Sequence, residues 1–135
     1  MTILEQLARY LAARLNLPFE GDDPAGAVFY GYLPERPVRA VCVYADDLRP
    51  GGGEQGAAVQ IAVRSDVDGE WPLQTGLAIL RALDERRDLL PVAGGDYISR
   101  IRTERGFEFG GLMANNTQVY TATFRVYTCG GEGAL

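Results

Sequence analysis

AVQIAVRSD at 58–66 feeds WPLQTGLAILRALDERRDLL at 71–90, and YISRIRTE at 97–104 and QVYTATFRVYT at 118–128 follow. This order of strand, helix, strand and strand decides the fold. In the first segment Val59, Ile61 and Val63 alternate with Gln60, Ala62 and Arg64, and in the last Tyr120, Ala122, Phe124 and Val126 alternate with Thr121, Thr123 and Arg125. A period of two places each set on its own side of an extended chain, so each strand is expected to bury one face and wet the other. Along 71–90 the apolar stripe reads Leu73, Leu77, Leu80 and Leu83, while Gln74, Arg81, Glu85 and Asp88 gather on another side. That pattern predicts a helix packed by its leucines on the sheet, ending near Pro91, with Arg81 and Glu85 as an exposed pair.

Upstream, Thr2 and Glu5 match a capping box, and Leu4, Leu7, Ala8, Leu11 and Leu15 recur at helical spacing through Asn16. EGDDPAG then breaks the helix, because proline, glycine and aspartate favour turns. AVFYGYL from Ala27 and VRAVCVYA to Ala45 are rich in branched and aromatic residues and read as two strands of a hairpin, with the prolines of PERP at its turn. The stretch 46–56, DDLRPGGGEQG, has little to bury and predicts a mobile glycine-rich loop. A second loop is expected between Arg105 and Asn116, around Gly110 and Gly111, and a short flexible tail at the C-terminus.

At 135 residues and 47% hydrophobic, the chain suffices for a single core and predicts one domain over 1–135. Thirteen basic residues face eighteen acidic ones, and an acidic chain is repelled by nucleic acid and by anionic membranes. No apolar run is long enough to cross a bilayer, and the N-terminus is amphipathic instead of carrying a signal sequence, so a soluble, untargeted protein is expected. Cys42 and Cys129 pair only if the fold unites them; free thiols are the default.

Histidine is absent, and every basic residue is an arginine. Serine or cysteine nucleophiles thus have no imidazole partner, and no lysine is present for a Schiff base or a phosphate loop. A zinc shell has two cysteines and no nitrogen ligand. SDVDGE resembles part of a calcium loop but lacks its remaining oxygen ligands, and turn formation explains Asp66 and Asp68. No catalytic, cofactor or metal residue is assigned. A carboxylate-dependent enzyme is the alternative of another class, but Asp22 with Asp23 and Asp46 with Asp47 lie in segments with nothing to bury them.

The order of elements, with RAVCVYADD closing a strand, the loop PGGGEQG, VQIAVRSD entering a helix and YTATFRVY near the end, resembles the tail-terminator and minor capsid proteins of long-tailed bacteriophages and gene transfer particles. The resemblance implies an α+β fold: a single mixed or antiparallel sheet, one long helix on a face, and an N-terminal helix at the side. It implies no catalysis and no cofactor. It implies a homo-oligomeric ring, commonly of six subunits, in the tail or neck of a virion assembled in the host cytoplasm. Such a ring caps the tail tube protein and joins the head–tail connector, while DNA passes its lumen without specific binding. A head-completion or connector-associated neck protein is the neighbouring alternative.

Candidate subunit or tube contacts are Asp46, Asp47, Arg49 and Glu54 in the loop segment, and Arg64, Thr121, Thr123 and Arg125 on strand faces. Arginine suits subunit contacts because its planar fork matches carboxylates. Equally, Arg64 and Arg125 serve to keep a sheet face wet, and another element of the same subunit can cover the threonine face.

Overall fold

The computed structural model describes residues 2–47, 56–66, 69–86, 90–92, 96–113 and 116–130. Helix α1 spans Ile3–Leu15, followed by strands β1 (Ala27–Tyr30), β2 (Ala40–Asp47) and β3 (Ala57–Ser65). Helix α2 (Glu70–Leu83) leads to β4 (Leu90–Pro91), β5 (Asp96–Leu112) and β6 (Gln118–Gly130). The fold is α+β: one curled, mixed, six-stranded sheet in the order β1-β2-β3-β6-β5-β4, with two helices. No helix among the described residues is long and apolar enough to cross a membrane.

Helix α1 starts where expected, the Thr2 hydroxyl accepting from the Glu5 amide at 3.1 Å. It stops at Asn16, which takes the left-handed conformation at φ 57°. Leu7, Ala8, Leu11 and Ala12 are its buried face. This helix does not sit at the side: it packs on β1 and β2, beside α2, which covers β3 and β5. The Tyr10 hydroxyl, donating to the Ala82 carbonyl at 3.4 Å, and the Arg86 guanidinium over the Tyr10 ring at 4.2 Å join the two helices.

Nor is there one long helix, since α1 has 13 residues and α2 has 14. The helical pattern of 71–90 breaks at Asp84, and Glu85 adopts φ 56°. The following chain serves the sheet instead: the Asp84 carboxylate accepts from the Thr103 amide at 3.1 Å and the Arg86 carbonyl from Ile101 at 2.9 Å. Glu85 accordingly reaches across to the sheet and pairs with Arg100 at 3.2 Å. The buried face of α2 is also rotated from the leucine stripe, comprising Pro72, Thr75, Gly76, Ile79, Ala82 and Leu83. Close approach is the reason, since a Cβ on Gly76 would stand 3.1 Å from the Phe107 ring of β5. Leu73 and Leu77 are left 63% and 47% exposed.

β1 and β2 form no hairpin; they are parallel, with Ala27 opposite Ala40. The connection 31–39 instead turns at Gly31 (φ 82°) and folds back over the sheet, packing Leu33 on Ala27, Phe29 and Ala40. The outer edge of β1 is closed by Pro18–Glu20, whose carbonyl and amide hydrogen-bond Val28 at 3.0 and 2.8 Å. β3 lies between β2 and β6 and is buried on both faces over nearly its whole length, against the expected alternation.

The loop expected over 105–116 is mostly strand. β5 continues to Leu112 and turns within 113–117, where the Met113 amide donates to the Thr117 carbonyl at 2.8 Å. Register shifts between Thr103 and Arg105, Arg105 and Glu108, and Phe109 and Gly111 absorb the extra residues and bend the strand. Of the expected glycine loop, Asp46 and Asp47 belong to β2 and Gly56 is buried, while 48–55 lie outside the described residues, as does the C-terminal tail at 131–135.

The core lies between the helices and one sheet face. Val28, Val41, Val43, Val59, Ile61, Val63, Ala122, Phe124 and Val126 pack there with Leu7, Leu11, Ile79 and Leu83.

Candidate functional site: the sheet face opposite the helices

Period two that sends Ile61 and Phe124 toward the helices sends their neighbours to the other face. There the register aligns Tyr44, Gln60, Thr123 and Arg105 in one row, and Cys42, Ala62, Thr121 and Glu108 in the next. A third row holds Ala58, Arg125 and Arg102. This face mixes hydroxyls, amides and ions in place of an apolar core.

Three of the sequence candidates, Thr121, Thr123 and Arg125, stand side by side here and are half-buried. Arg125 donates to the Glu104 carboxylate at 2.7 Å, which offsets its position opposite Arg102. Gly56 approaches its stem so closely that a Cβ there would lie 2.6 Å from Arg125 Cδ.

Arg64 is on this face but is not exposed as expected; it is 6% accessible. Its Nε and Nη2 donate to the carbonyls of Val38 and Pro37 at 3.0 and 2.8 Å, fastening the 31–39 connection to the sheet. Burial lowers its pKa, with Cys42 and Glu35 acting in the opposite direction. Asp46 and Asp47 lie at the end of β2, and Arg49 and Glu54 lie outside the described residues.

Beside Arg64 the face hollows into an open groove of ≈530 Å³ lined chiefly by Tyr32, Leu33, Cys42, Tyr44, Met113 and Val119. No motif announces it: the tyrosines read as ordinary strand residues, and Met113 reaches the groove only through the turn of β5 into β6. The Cys42 thiol donates to the Tyr32 carbonyl at 3.1 Å. Burial pushes its pKa up to about 11, only partly opposed by Arg64, so the thiol stays protonated at neutral pH and is a poor nucleophile. Among the described residues no cluster of three or more acidic, cysteine or histidine side chains is placed to hold a metal.

The Asp84 cap at the sheet's other edge has a pH signature. The nearby Thr103 hydroxyl and the hydrogen bond from the Thr103 amide at 3.1 Å hold the Asp84 carboxyl below its ordinary value. Its stabilisation is therefore present above the unfolded-state pKa and lost as pH falls through the lower folded-state one. Asp84→Ala should cost about 0.5–1.5 kcal/mol at neutral pH. Urea titrations of both proteins check this, the difference narrowing when repeated in acid.

No protein-family model matches the chain, and no curated protein matches it. Solved structures do. A chain from a structure described as "Virion of native gene transfer agent (GTA) particle" superposes with a TM-score of 0.60 at 16% identity, covering 94% of both chains. The likeness is one of fold. A second solved chain, at 16% identity and a TM-score of 0.46 over 90% of this chain and 88% of its own, is too distant to argue from.

Proposed function

We propose that this chain is a structural subunit of a phage-like particle, and specifically a tail terminator whose ring caps the tail tube and presents a surface to the head connector. The observation that carries the reading is the fold shared end to end with a chain of a gene transfer agent virion. A non-catalytic role accords with a chain that has no histidine and a protonated, buried Cys42.

A tube elongates because each added ring recreates the surface that the next one binds. Growth ends when a different ring covers that surface and does not regenerate it. In this reading copies of the chain close head to tail, six in the ring. The half-buried face with Thr121, Thr123 and Arg125, together with Asp46 and Asp47 at the end of β2 and Arg49 and Glu54 after them in sequence, supplies contacts to neighbour or tube. DNA passes a net-acidic ring without adhering.

Purified protein added to terminator-free tail tubes tests this. Electron microscopy should show it at one end only, and those tubes should accept no further tube subunits. Binding along the whole tube, or no binding, would remove the assignment.

A further inference from the structure

We draw no further inference here: the strongest candidate, the open and mostly apolar groove walled by Tyr32, Leu33, Tyr44 and Met113 on the sheet face opposite the helices, carries nothing because nothing in the structure shows what covers it.

Discussion

Arg64→Ala is expected to destabilise the protein by about 2–4 kcal/mol, the cost of stranding two carbonyls that an ionised donor now satisfies. The guanidinium is buried and forks to the Pro37 and Val38 carbonyls at 2.8 and 3.0 Å. Those carbonyls lie in the 31–39 connection, the segment that lets β1 run parallel to β2 and roofs Ala27, Phe29 and Ala40. Removing the fork should loosen that roof before it unfolds the sheet. Cys42 is the local reporter, since its thiol bonds to the Tyr32 carbonyl in the same connection. Its labelling by a thiol reagent should accelerate in Arg64→Ala under conditions where the core is intact. Arg64→Lys should recover only part of the loss, because an ammonium is a point charge on a flexible stem and cannot reproduce a planar fork. Equal stability of parent and Arg64→Ala by denaturant titration would show that the connection is held by packing alone.

The second large effect belongs to the centre of the core. Phe124 is almost wholly buried, lies opposite Val59 on one side and Thr103 on the other, and faces the two helices. Phe124→Ala should cost about 3–5 kcal/mol, since the lost transfer energy is joined by a cavity that β-strands held on both sides cannot close. Leu73→Ala removes an equally apolar side chain from α2, yet should change stability by less than about 0.5 kcal/mol, because Leu73 is exposed. Thermal or urea unfolding of the two variants side by side checks the contrast. A large loss for Leu73→Ala would mean that its leucine stripe is the buried face of α2.

That contrast also marks how far the sequence was legible. The presence of both helices, the capping box at Thr2 and the core-facing side of Val59, Ile61 and Val63 and of Ala122, Phe124 and Val126 were readable, because each reflects one element against one core; the wet face expected of β3 was not. What failed depended on a second element. Gly76 brings Phe107 against α2 and rotates its buried face away from the leucines. Asp84 and Arg86 leave the helical pattern because β5 offers them amides. The parallel β1–β2 pairing depends on Arg64 holding a connection 26 and 27 residues distant in sequence, which no local period records.

Of the candidate site, the row Thr121, Thr123 and Arg125 was legible as one strand face, since alternation alone defines it. Arg64 was misplaced on the same logic, because alternation cannot distinguish a wet face from one roofed by a neighbouring connection. The groove at Tyr32, Tyr44 and Met113 joins residues from three separate segments and carries no motif.

Electron microscopy of particles from a producing cell that lacks this chain tests the central claim most directly. The account predicts filled heads without tails beside free tubes of irregular and often excessive length. Tails of normal length joined firmly to heads would contradict it.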